Sequence, residues 1–107
     1  MAAEFYISFK NRDWYLENLS RIEEQISRLK TFTIREGNEF RLLGSESRIQ
    51  EDGWSYDVRL FTQDAQILME ISAHPESVEA DLSYFLSWLR SQTDISVNDE
   101  DGELSGW

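Results

Sequence analysis

Apolar residues recur along this chain at two spacings, and each change of spacing marks a boundary between predicted elements. Residues 4–10 alternate, with Phe5, Ile7 and Phe9 on one side, which predicts a strand with one buried face. Residues 13–30 carry apolar side chains at steps of three and four, which predicts a helix with one apolar stripe. That stripe consists of Tyr15, Leu19, Ile22, Ile26 and Leu29.

The segment 31–48 allows two interpretations. Apolar residues alternate on both sides of Gly37 and Asn38, a pair that is typical of turns. The segment is therefore either one hairpin or a loop followed by one strand. We favour the second interpretation, with a main strand at about 39–48.

Alternation is most regular at residues 54–62, which we expect to form a strand. A short turn joins it to residues 65–73, which predicts an antiparallel hairpin. Pro75 suits the first position of a second helix, and residues 95–97 predict a last short strand. The predicted apolar faces are Trp54, Tyr56, Val58 and Leu60 in the strand, and Val78, Leu82, Phe85, Leu86 and Leu89 in the helix.

The resulting order, β-α-β-β-β-α-β, predicts an α+β fold: an antiparallel sheet of about four to five strands with two helices packed on it. We expect residues 1–98 to form this single domain and residues 99–107 to form an acidic C-terminal tail. A chain of 107 residues suits one domain, and its 40 % hydrophobic content is too high for a disordered protein.

Composition removes several kinds of chemistry. The chain has no cysteine, which excludes disulfides, iron–sulfur clusters and thiol catalysis. Its apolar runs fall short of the roughly 18 residues that a membrane-spanning helix needs, and its first residues lack the pattern of a signal peptide. We therefore expect a cytoplasmic protein that does not bind membranes. We also expect it to be a monomer or a weak homodimer.

The charge of the chain is strongly negative and unevenly distributed. There are 21 acidic and 10 basic residues, which gives a net charge of −11. Residues 1–62 carry a net −2, whereas residues 63–107 carry −9 because Arg90 is their only basic residue. This charge disfavours direct binding to nucleic acid, whose phosphates are also negative. It favours a basic protein partner.

The sequence contains no recognisable catalytic or metal-binding motif. His74 is the only histidine, and we expect it to cap the second helix rather than to act in acid–base chemistry. The acidic residues around Gly102 resemble a calcium loop, but its first ligand position would fall on Val97, which has no side-chain oxygen. We therefore expect no catalytic residue, no metal and no cofactor.

The second helix carries polar and aromatic residues outside its apolar stripe. Asp81, Tyr84 and Trp88 share a second face of this helix, and aromatic residues beside acidic ones are typical of protein-binding patches. In the alternative interpretation Trp88 packs in a wide core. Trp107 is either an anchor on the domain or an exposed contact.

The acidic tail supplies further candidate contacts. Dense carboxylates accelerate the encounter with a cationic partner and orient it, although such a segment is also compatible with a solvated end of no specific function. The predicted partner-binding residues are Asp81, Tyr84, Trp88, Asp99, Glu100, Asp101 and Glu103.

A compact, acidic, cysteine-free domain with surface aromatics resembles the small acidic immunity proteins with which bacteria neutralise their own toxins. The resemblance is one of size and composition over the whole chain, without a shared motif. It implies a cognate toxin, often a nuclease, whose cationic active site the acidic side chains would cap. Two alternatives remain: an acidic chaperone or DNA mimic, and a small enzyme that uses carboxylates alone.

Overall fold

Six strands and four helical segments make up the described part of the chain. The structure, a computed structural model, describes residues 2–48 and 56–107, and at residues 47 and 48 it describes the backbone alone. The strands are β1 (Ala3–Phe9), β2 (Phe32–Glu36), β3 (Glu39–Leu42), β4 (Val58–Thr62), β5 (Gln66–Ile71) and β6 (Ile95–Asn98). The helices are α1 (Arg12–Glu17), α2 (Leu19–Ser27), α3 (Ser45–Arg48) and α4 (Glu76–Gln92).

The strands form one antiparallel sheet in the order β2-β3-β4-β5-β1-β6, which confirms the predicted α+β class. The predicted numbers of strands and helices were too low. The described residues form six strands and three helices, of which the first is broken into α1 and α2 at Asn18. The Asn18 side-chain amide donates to the carbonyl oxygen of Trp14 at 2.8 Å and so helps to end α1.

Residues 32–42 form a hairpin, so the favoured interpretation, a main strand at 39–48, is wrong. β2 and β3 pair along their length, with one shift of register near the start of β2. Gly37 makes the turn with a φ of 60°, a conformation that glycine adopts without steric cost. The hairpin contributes β2 as an additional strand, which the sequence pattern had allowed but not decided.

Strand β3 ends at Leu42, and the chain that follows it packs closely against the start of α4. The backbone amide of Gly44 donates to Oδ2 of the buried Asp57 at 2.9 Å, instead of to a neighbouring strand. A Cβ atom at Gly44 would lie 2.6 Å from Cγ of Pro75 and 2.8 Å from Oγ of Ser77. Only glycine therefore allows the chain to pass so close to the start of α4.

Glu46, in α3, caps α4 from outside that helix. Its Oε2 accepts a hydrogen bond from the Ser77 backbone amide at 3.1 Å, and its Oε1 accepts one from the Ser77 hydroxyl. Pro75, at the N-cap position itself, makes no side-chain capping bond. The bonds from Ser77, chiefly that from its hydroxyl, lower the pKa of Glu46 to about 2.

One face of the sheet packs against the helices in a single core. All five residues predicted for the apolar stripe of the second helix are buried, as are four of the five predicted for the first. α2 and α4 lie antiparallel. Arg21 near the start of α2 donates to Gln92 at the end of α4, and Thr31, just after α2, donates to Asp81 in the first half of α4. The sheet contributes fully buried side chains from four strands, among them Ile7, Phe40, Leu60 and Met69.

The alternation predicted for residues 54–62 breaks where β4 begins. Asp57 is buried, and so is the β4 residue that follows it, so two consecutive side chains point inward. Tyr56 leaves the predicted apolar face, and Cζ of Arg59 lies 4.6 Å from the centre of its ring. The predicted position of Trp54 lies outside the described residues.

Candidate functional site

Asp81, the first of the three contact residues predicted on α4, lies inside the domain. It is only 8 % exposed. Its Oδ2 accepts two hydrogen bonds from Thr31, one from the backbone amide at 2.8 Å and one from the hydroxyl at 2.7 Å. Since buried donors require acceptors, this carboxylate has a structural role and we leave it out of the candidate contact surface.

Tyr84 is exposed, and both basic and acidic side chains lie around it. Its ring is 62 % exposed and borders a groove of about 620 Å³ between the residues after α2 and the first half of α4. Arg28 and Lys30 lie on the groove wall, and Arg28 pairs with Glu24 at 2.6 Å. Asp81 also lines this groove, so Tyr84 has acidic as well as basic neighbours, although Asp81 is nearly buried.

Trp88 is half-buried and packs against the core. The guanidinium carbon of Arg21 lies 5.8 Å from the centre of its ring. Arg21 also donates to Asn18 and to Gln92, so it is held in place over the indole. These contacts favour the interpretation in which Trp88 belongs to a wide core between α2 and α4.

Residues 99–103, called the acidic turn below, have a defined conformation. Asp99 Oδ1 accepts hydrogen bonds from the backbone amides of Asp101 and Glu103, at 2.9 and 3.0 Å. Asp99 thereby organises the turn and is partly buried. The side chains of Glu100, Asp101 and Glu103 are exposed.

The chain after the acidic turn returns along β6. Asn98 pairs with Leu104, and the backbone amide of Ser105 donates to the Val97 carbonyl oxygen at 2.9 Å. These bonds lie on the edge of β6 that faces away from β1. The four predicted tail residues are thus brought together on one turn, apart from Tyr84 and Trp88 on α4.

Trp107 packs on the domain. The centre of its ring lies 6.3 Å from that of Phe5 and 6.2 Å from that of His74, edge to face in both pairs. The Arg90 guanidinium donates to the Trp107 carbonyl oxygen at 2.6 Å. The three rings border a cavity of about 260 Å³, called the aromatic concavity below, which is lined by Ala3, Phe5, Ile71, Ser72, His74 and Trp107.

The aromatic concavity adjoins the acidic turn. A second hollow, of about 170 Å³, shares Ala3 and Phe5 with it and is also lined by Glu4, Asp99, Glu100 and Asp101. Glu100 is held there because its Oε1 accepts a hydrogen bond from the Glu4 backbone amide at 2.9 Å. The negative charge raises the pKa of Tyr6, chiefly through the Glu4 carboxylate and less through Glu100.

Several basic side chains elsewhere in the domain pair with glutamates. Each of four arginines forms an ion pair with a glutamate, namely Arg28, Arg35, Arg41 and Arg59. Among residues 2–46 and 56–107, no basic side chain pairs with the acidic turn. The negative charge of this turn is therefore not neutralised by an ion pair within the described residues.

His74 does not cap α4 as expected, since Glu46 occupies that role. Its Nδ1 lies 2.6 Å from Oε1 of Glu79, and both side chains are about half exposed. Within the described part of the chain, no three or more histidine and acidic side chains are grouped closely enough to hold a metal ion.

Two contributors to these surfaces were missed by sequence reasoning. Glu4 and Phe5 belong to the first strand, ninety residues and more before the acidic turn, and reach it because β1 pairs antiparallel with β6. Alternation indicated that Phe5 faces the core, but it gave no signal of which strand lies beside it.

Comparison with known proteins does not assign the chain to a family. No family model, no curated protein and no solved structure matches it. The described helices are also too short or too polar for any of them to cross a membrane.

Proposed function

We propose that this chain is a non-enzymatic acidic binding protein that neutralises a basic protein partner. The acidic turn is the observation that carries the proposal, because its exposed carboxylates form no ion pair with a basic side chain among the described residues. The partner we favour is a bacterial toxin such as a nuclease, which the protein would block in the cytoplasm as an immunity protein does.

The order within the acidic turn supports binding over simple solubility. The Asp99 carboxylate accepts hydrogen bonds from two backbone amides of the turn, and Glu100 accepts one from the Glu4 amide, so the turn is ordered before any partner arrives. A preorganised surface loses less conformational entropy on binding than a mobile one. Its charge also speeds encounter with a cationic surface, an effect that salt weakens.

The negative charge of the acidic turn would inhibit a toxin by occupying its cationic active site. The active site of a nuclease is built to bind phosphates, so fixed carboxylates compete for the same cationic groups. The mechanism needs no chemistry from this chain, only shape and charge that fit the entrance of the partner's site.

The first test is a pull-down with this protein as bait from nuclease-treated lysate of the native cell, washed at low and at high salt. We expect one basic protein to be retained at low salt and eluted at high salt. Retention of no basic protein, or retention that salt does not weaken, would contradict the proposal.

Matched charge variants then locate the contact. The site variant neutralises the turn with Glu100→Gln, Asp101→Asn and Glu103→Gln. The control removes the same charge from exposed positions elsewhere, with Glu17→Gln, Asp64→Asn and Asp94→Asn. At low salt we expect the site variant to associate with the captured partner about tenfold more slowly, and the control to change the rate less than about twofold.

The pull-down separates the two binding alternatives, and an activity assay on single variants tests the enzymatic one. A captured DNA-binding protein that free DNA releases would indicate a DNA mimic, and a captured unfolded apolar segment would indicate a chaperone. Loss of a catalytic activity through one Asp→Asn or Glu→Gln change, with the fold intact, would indicate an enzyme.

A further inference from the structure

The aromatic concavity has the size and lining of a side-chain pocket. Its volume is about 260 Å³, below the roughly 300–1,000 Å³ of sites that enclose small-molecule ligands. Phe5, Ile71 and Trp107 supply apolar surface, whereas Ser72 and His74 supply polar groups. A cavity of this kind suits one long side chain better than a cofactor or a metabolite.

The negative charge beside the concavity favours a positively charged side chain as its occupant. The neighbouring hollow shares the walls formed by Ala3 and Phe5 and is bordered by Glu4, Glu100 and Asp101. A side chain that lies in the concavity and reaches across the shared wall of Ala3 and Phe5 would therefore place its end group next to carboxylates. An anionic end group would be repelled there, and an apolar one would leave those carboxylates without a new partner.

We infer that the aromatic concavity binds the side chain of an arginine or lysine from the basic partner, an inference that rests on the proposed function. The methylene groups of such a side chain pack on the Phe5 and Trp107 rings. Its cationic group interacts with the ring faces and with the carboxylates of Glu100 and Asp101. The acidic turn and the aromatic concavity together then recognise one specific cationic residue of the partner, rather than only the partner's net positive charge.

The walls of the concavity are held in place before binding. Trp107 contacts Phe5 and His74, and its carbonyl oxygen accepts a hydrogen bond from Arg90. His74 in turn lies 2.6 Å from the Glu79 carboxylate. Because the rings need little rearrangement, an isolated cationic side chain should bind weakly but measurably.

The test is an NMR titration with Nα-acetyl-arginine amide, and with Nα-acetyl-citrulline amide as its uncharged control of nearly equal shape. We expect saturable shifts for the arginine probe at Ala3, Ser72, His74 and the Trp107 indole, with a dissociation constant on the order of millimolar. The citrulline probe should give no saturable shift. Equal binding of both probes, absence of shifts, or shifts spread over all acidic surfaces would overturn the inference.

Two variants locate the probe, so that the test does not depend on one of them folding. Trp107→Leu removes a wall, and Asp101→Asn removes one rim charge. Each should weaken binding of the arginine probe at least about threefold. Asp64→Asn, which removes the same charge at the opposite end of β5 from Ile71, should leave it unchanged; an equal loss in this control would overturn the inference.

The outcome is independent of the pull-down. Capture of a basic protein without any effect of the arginine probe would retain the proposed function and reject this pocket. A probe that binds as expected, with no basic partner captured, would retain the pocket and reject the proposed function.

Discussion

Oδ2 of Asp81 accepts hydrogen bonds from both the backbone amide and the hydroxyl of Thr31, and both residues are buried. The two residues lie fifty positions apart, in α4 and in the segment between α2 and β2. One carboxylate thus fixes the end of the first helical region against the last helix. It satisfies two donors that would otherwise be buried without acceptors.

Asp81→Ala should therefore destabilise the domain by about 2 kcal/mol, because it leaves the amide and hydroxyl of Thr31 unsatisfied. Ser83→Ala, at an exposed position of the same helix, is the control and should change the free energy of unfolding by less than about 0.5 kcal/mol. Urea unfolding measures both. Equal effects of the two changes would show that the Asp81–Thr31 bonds contribute no net stability.

Alanine substitutions of Trp88 and of Tyr84 should lower the free energy of unfolding by different amounts in the same urea assay. Trp88→Ala should cost about 2 kcal/mol, because the indole packs on the core beneath Arg21. Tyr84→Ala should cost less than about 0.5 kcal/mol, because its ring is 62 % exposed. A Trp88→Ala variant with unchanged stability but weaker partner binding would return Trp88 to the contact surface.

Gly44→Ala should destabilise the domain by about 1–3 kcal/mol, because its new methyl group would lie 2.6 Å from Cγ of Pro75. Gly106→Ala is the matched control, since a Cβ atom at that position meets nothing within 4 Å. Thermal melting of both variants checks the difference. If the two variants melted at the same temperature, the close packing of Gly44 against α4 would be disproved.

Acid should weaken the cap on α4. The pKa of Glu46 falls from 4.5 to about 2 on folding, so its stabilising effect is complete above about pH 4.5 and is lost as the pH falls towards 2. The wild type should therefore melt higher than Glu46→Gln at neutral pH, and the gap should close near pH 2. A gap that stays constant with pH would contradict the capping role, and Glu17→Gln serves as the control.

Alkali should destabilise the domain through Tyr15. Burial, with smaller contributions from Glu23 and Asp64, raises its pKa from 10.0 to about 12. Because the folded state keeps the proton longer, the stabilising effect is complete below about pH 10 and is lost as the pH rises towards 12.

Tyr15→Phe tests this pH dependence. The variant should be about 1 kcal/mol less stable at neutral pH, because it loses the hydrogen bond that the hydroxyl donates to the Gln63 carbonyl oxygen at 2.6 Å. Its stability should fall less steeply than that of the wild type between pH 10 and 12, as followed by circular dichroism. Parallel curves would assign the alkaline transition to other groups.

The spacing of apolar residues was sufficient to predict the elements that bury a single face. The stripe of α4 from Val78 to Leu89 and the alternation of β1 follow from one buried face each, and the structure buries those faces, with Phe5 buried only in part. The same rule failed at Asp57, which is buried against the alternation and bonds to Gly44. That contact joins two segments of the chain, so no local pattern could show it.

The candidate site was predictable only in part for the same reason. The density of acids at 99–103 is visible in the sequence, and the structure gathers them on one turn. The position of Phe5 and His74 beside Trp107 depends on strand order and on the start of α4. Helical spacing placed Asp81 beside Tyr84, but it could not reveal that Thr31 lies opposite and binds its carboxylate.

The return of residues 104–105 along β6 also affects how the folded protein behaves at high concentration. An exposed strand edge offers unpaired amides and carbonyls to other chains and so promotes aggregation. Here the chain covers its own β6 edge through Leu104 and Ser105, and the opposite edge, β2, carries charged residues and a break in register. Both ends of the sheet are thus poor templates for fibril growth, and the protein can keep an extended sheet without polymerising through it.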